Sequence, residues 1–132
     1  MTSHASGPFD VKLTPQMSGD APDPGIARMS IEKQFHGDLE AASRGEMLSF
    51  MTSVKGSAGY VAMERVTGKL GGRSGSFVLQ HTATMDRGTP HLTVTVVPDS
   101  GTQELCGLSG AMNIRIEAGG KHVYEFEYSL PD

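Results

Sequence analysis

Apolar and polar residues alternate along most of this chain with a period of two, the pattern of strands that turn one face inward. The clearest run is Tyr60 to Thr84, YVAMERVTGKLGGRSGSFVLQHTAT. It predicts two long strands joined at Gly71-Gly72. Tyr60, Ala62, Glu64 and Val66 share one face of the first strand, and Phe77, Leu79, His81 and Ala83 one face of the second. A two-residue primed turn sets Val66 opposite Phe77, Glu64 opposite Leu79 and Ala62 opposite His81. A four-residue turn sets Glu64 opposite His81 instead. Either way a carboxylate and an imidazole share a mostly apolar face, within roughly 5–8 Å at Cβ.

The same period runs through the rest of the chain. His4–Leu13 places Phe9, Val11 and Leu13 together. Arg28–Leu39 places Met29, Ile31 and Phe35 opposite Ser30, Glu32, Gln34 and His36. Ser43–Thr52 is ambiguous: Leu48 and Phe50 share the face of Glu46, while Met47 and Met51 share the other. His91–Pro98 is β-branched, with Leu92, Val94 and Val96 aligned. Leu105–Gly110 reads as a short apolar connector. Ala111–Glu117 aligns Met112, Ile114 and Ile116, and His122–Leu130 aligns Tyr124, Phe126 and Tyr128.

Turn residues separate the runs, and no stretch carries a convincing helical period. Eight strands with short local connections predict an all-β fold, an eight-stranded antiparallel up-and-down barrel. Closure of that kind removes exposed edges and leaves an interior for side chains or one small ligand. A two-sheet sandwich is the alternative, but it needs long crossovers, and the chain has one long loop. That loop is Thr14–Ala27, where Pro15, Pro22 and Pro24 exclude regular structure. The expectation is a mobile surface connection, with a lid over the barrel mouth as the alternative.

A length of 132 residues suits a single domain over 1–132. The net charge of −4 comes without any basic cluster, so nucleic acid is not expected as a partner. No membrane segment and no leader is apparent, which points to a cytoplasmic protein. Cys106 is the single cysteine, so no internal disulfide forms; beside Leu105 and Leu108 it reads as a small buried hydrophobe. His4, His36, His81, His91 and His122 show no ligand spacing, so no metal is expected. The glycines from Gly68 to Gly75 precede no helix and read as a hairpin rather than a phosphate loop.

Two runs carry a resemblance to a known family: VAMERVTGKLGGRSGSFVLQH from Val61 to His81, and VVPDSGTQELCGLSG from Val96 to Gly110. They resemble a small bacterial family known as domain of unknown function 3224. The resemblance covers the chain from about Met29 onward, plus the His4–Val11 strand. It implies a barrel similar to allene oxide cyclase, in a family without an established activity. The proline-rich Thr14–Ala27 loop and Met51–Val54 depart from the family pattern. Similar barrels shape a reactive substrate in an apolar cavity, although fold alone does not fix function.

The candidate chemistry sits on the central hairpin. Burial raises the pKa of a carboxyl group and suits it to acid–base work, and a histidine titrates near neutrality. Glu64 and His81 are therefore the expected catalytic pair, with Tyr60, Phe77, Leu79 and Tyr128 contacting substrate. The plainer alternative is that Glu64 and His81 only satisfy each other inside a packed barrel. The expected activity is isomerisation or cyclisation of a small hydrophobic molecule without a cofactor. Non-catalytic binding of such a molecule is the alternative. The mixed outer face of Met63, Arg65, Val78 and Gln80 suggests a homo-oligomer.

Overall fold

The computed structural model describes residues 2–16, 23 and 25–131. Eight strands follow one another: β1 Ser3–Pro15, β2 Ile26–Phe35, β3 Leu39–Met51, β4 Ala58–Leu70, β5 Arg73–Asp86, β6 Thr89–Val96, β7 Ser109–Ile116 and β8 His122–Ser129. One short 3-10 turn, Gln103–Leu105, interrupts the β6–β7 connection. Each strand pairs antiparallel with the next, and β8 pairs with β1, so the sheet closes into a barrel. No helix among the described residues is long and apolar enough to cross a membrane.

The central hairpin turns at two residues. Gly71 and Gly72 both take positive φ, 57° and 84°, as a primed turn demands and a side chain would resist. The register follows: Val66 faces Phe77, Glu64 faces Leu79 and Ala62 faces His81. The ambiguous third strand begins at Leu39, earlier than its pattern suggested, and β2 and β4 set its register on both sides. Ala41 and Ser43 therefore point inward, while Leu48 and Phe50 stand half-exposed on the outer wall. Beside them on that wall are Ile26, Val61 and Met63, also half-exposed.

The two ends of the barrel differ. At one end lie the β2–β3 and β4–β5 turns and the β6–β7 connection. Phe35, Leu39, Leu70, Phe77, Tyr124 and Phe126 fill it, and Leu105 and Leu108 pack across the bottom. Gly75 permits this approach, since a Cβ there would meet the Thr102 carbonyl at 2.2 Å. The Tyr124 hydroxyl donates to the His36 carbonyl at 2.7 Å and accepts from the Leu39 amide at 2.8 Å, which pins the β2–β3 turn to β8. Cys106 is exposed, contrary to its sequence reading. Leu105 and Leu108 take the inward positions, and Gly107, at φ 82°, turns the chain so that Cys106 stays outside.

The other end carries the β3–β4, β5–β6 and β7–β8 connections and is lined by smaller or looser side chains. There β6 and β7 meet through the single pair Thr95–Ala111, the thinnest seam of the ring. Leu92 and Ile116 point inward by their alternation, yet they remain exposed beside that seam. The expected mobile loop of 14–27 also joins strands at this end, and its residues 17–22 and 24 lie outside the described residues.

Candidate functional site

Three ionisable side chains from three strands meet inside the barrel. His81 Nε2 on β5 lies 2.8 Å from Glu64 Oε2 on β4. Lys33 Nζ on β2 lies 2.8 Å from the same oxygen. Glu64 and His81 come together because they sit diagonally on adjacent strands, the arrangement of the two-residue turn. Lys33 must reach across β3, and β3 makes room for it. Gly45 is the residue opposite Glu64 there, and it presents no side chain. Lys33 also lies over the rings of Phe9 and Phe35, 5.2 and 5.8 Å from their centroids, so aromatic faces support its charge.

Lys33 is the residue that pattern reading missed. It shares the parity of Ile31 and Phe35, and that was the available signal: a lysine on the apolar face of a strand. Its presence reverses one expectation. Burial pushes the Glu64 carboxyl up, as the sequence suggested, but the His81 hydrogen bond and the Lys33 charge outweigh burial. The net result is a carboxyl held below its ordinary value, and therefore ionised at neutral pH. An ionised carboxylate can only accept, so the Nε2 that faces it carries the proton. In a neutral ring Nδ1 is then the lone-pair acceptor, and Glu64 is the group that orients the imidazole. Two buried atoms at this cluster have no hydrogen-bond partner among the described residues: Glu64 Oε1 and Ser43 Oγ. Ser43 is the cross-strand neighbour of Lys33.

Above the trio, at the looser end, is a cavity of about 640 Å³. Met47 and Ser49 of β3, Tyr60 of β4, Ala83 and Met85 of β5, Leu92 of β6 and Ile116 of β7 are among the residues that line it. In a ring of eight strands β3 and β7 stand opposite each other, so a space touching both lies in the mouth of the lumen. Its walls are mainly apolar. The hydroxyl of Tyr60, on this wall, is pushed up first by burial and then by the Glu64 charge. Met47, Ala62 and His81 form one cross-strand row, which leads from the cavity wall to the imidazole.

The six residues singled out from sequence thus separate into three groups. Glu64 and His81 are hydrogen-bonded and buried. Tyr60 lines the cavity. Phe77 and Leu79 are packed in the core, and Tyr128 stacks on Phe126 near the closed end, with ring centroids 5.3 Å apart. Those three belong to the aromatic-rich core that fills the closed end. Among the described residues no group of three or more His, Cys, Asp or Glu side chains is placed to hold a metal ion.

A family model described as "Protein of unknown function (DUF3224)" matches residues 5–128. The chain belongs to this family. A crystal structure of a DUF3224 protein of unknown function from Shewanella oneidensis MR-1 is 52% identical to it. That likeness covers 100% of this chain and 99% of the other, with a TM-score of 0.91. No curated protein matches. The barrel is therefore the architecture of a DUF3224 protein.

Proposed function

We propose that this barrel takes up a small hydrophobic molecule in its mouth. One observation carries the reading: a lumen space of about 640 Å³, walled by methionine, leucine, isoleucine, alanine and tyrosine, at the end that the core does not fill. Apolar cavities of this size with a few polar groups at one side are the usual form of small-ligand sites. The neutral fluorophore N-phenyl-1-naphthylamine is a direct probe. Its emission rises on binding to the wild-type protein, and Ala83→Phe, which fills the cavity, suppresses the rise without lowering the unfolding temperature. No enhancement at saturating probe, or an unchanged response in Ala83→Phe, overturns the reading.

A second reading, isomerisation without a cofactor, is favoured by the 2.8 Å Glu64–His81 hydrogen bond. In that reading His81 Nδ1 removes a proton next to a carbonyl, and the Tyr60 hydroxyl donates to the carbonyl oxygen. The electron pair moves into a dienolate, and the proton returns at the far carbon, so nothing is oxidised or reduced. Glu64 orients the ring and stabilises the imidazolium. Conversion of 3-cyclohexenone to 2-cyclohexenone, followed by ultraviolet absorbance, tests this. Catalysis that disappears in His81→Gln supports it, and a rate equal to buffer for the wild-type protein removes it.

A further inference from the structure

We infer that the molecule held in the mouth carries a neutral hydroxyl, as an alcohol or a phenol, that docks on the Lys33–Glu64–His81 trio. This rests on the proposed cavity reading and specifies its ligand. The argument is one of hydrogen-bond inventory. Glu64 Oε2 already serves both Lys33 and His81, while Oε1 is fully buried without a partner. His81 commits Nε2 to Glu64, and in a neutral ring Nδ1 is a further acceptor. On the donor side, an ammonium has three N–H groups, and the salt bridge to Glu64 uses one. The Ser43 hydroxyl, cross-strand neighbour of Lys33, is buried and unpartnered as well.

The cluster thus offers open acceptors and open donors side by side. A group that both donates and accepts completes it, and a hydroxyl does both. A carboxylate or a ketone only accepts, and a carboxylate would also face the Glu64 charge. An alkylammonium only donates and would face Lys33. The charges of Lys33 and Glu64 offset each other, so an uncharged guest fits the field. The inward residues between the cavity wall and the trio along β4 and β5 are small, Ala62 and Ala83. Leaving buried polar groups unpaired is costly, so filling them rewards the right guest more than the apolar walls do.

Competition against N-phenyl-1-naphthylamine with naphthalene, 2-naphthol and 2-naphthoate tests this on the intact chain. The expected order places 2-naphthol first, displacing the probe at roughly one-tenth the concentration of naphthalene, the size of one hydrogen bond to a charged group. Lys33→Met/Glu64→Gln removes that advantage and leaves naphthalene unchanged. Equal displacement by naphthol and naphthalene on the wild-type protein overturns the inference, assigns the cluster to water and leaves the cavity reading standing. Stronger displacement by 2-naphthoate also overturns it. Probe binding that none of the three displaces refutes both the inference and the lumen as the probe's site. The wild-type comparison decides even where the double variant fails to fold.

Discussion

Lys33 and Glu64 form an ion pair at 2.8 Å, with 6% and 0% of their side chains exposed. Two charges removed from water this completely depend on each other. Removing Glu64 strands the Lys33 charge, and removing Lys33 leaves Glu64 with the His81 hydrogen bond alone, a loss of up to about 3–5 kcal/mol, whereas replacing both with apolar groups is often neutral. Lys33→Met is expected to lower the urea midpoint sharply, and Lys33→Met/Glu64→Leu to recover most of it. A single-variant cost under about 1 kcal/mol, the size of an exposed pair, contradicts the burial.

Acid should weaken the barrel through the same carboxylate. The Glu64 pKa is lowered in the folded state from an ordinary 4.5. The unfolded chain therefore binds the proton more readily. The stability contributed by ionised Glu64 is complete above the unfolded value and is lost as pH falls through the folded one. Urea midpoints measured from about pH 6 down to about pH 3 should fall, and Glu64→Gln should fall less over that interval. Parallel curves for the two proteins would exclude Glu64 as the source.

Tyr124 predicts the opposite limb. Burial pushes its hydroxyl up to about 12; the Leu39 backbone hydrogen bond opposes this, and the Asp38 and Glu40 charges add to it. A folded pKa above the unfolded one stabilises fully below the unfolded value, and that stability is lost as pH rises toward the folded value. Stability should decline between about pH 10 and pH 12. Tyr124→Phe should remove that share of the decline and cost about 1–3 kcal/mol at neutral pH, because the Leu39 amide loses its acceptor. Equilibrium unfolding with alkaline titration at 295 nm measures both.

Gly45→Ala tests the lane that Lys33 crosses. An added Cβ would lie 1.9 Å from the Met63 carbonyl oxygen and 2.8 Å from Glu64 Cβ. Backbone cannot yield as the end of a side chain can, so β3 and β4 must separate locally. The expected loss is about 1–3 kcal/mol, the usual scale of overpacking. Amide exchange should speed up at the β3–β4 pairs around Gly45 and Glu64. An unchanged midpoint would show that the sheet has slack there.

Much of the barrel was legible because strand alternation and two-residue turns are local. Gly71-Gly72 dictates the register of β4 on β5, and that register alone places Glu64 diagonal to His81. Leu48 and Phe50 mark the limit of such reading. Alternation left open whether they or Met47 and Met51 face inward, and pairing on both sides of β3 turned them outward. Cys106 failed for a related reason, since a turn at Gly107, not local hydrophobicity, decides which side of the connector faces the core.

The sequence by itself determined the number of strands, most of their inward faces and the acid–imidazole pair, because each depends on residues that are neighbours along one strand or across one tight turn. Tertiary structure decided what closure alone can decide. It brought Lys33 across β3 to Glu64 and so turned an expected raised carboxyl into a lowered one. It also filled one end with aromatic rings and left the other open, parting Tyr128 from Tyr60. Charge balance and cavity shape depend on distances across the ring, and no period in a linear chain encodes those.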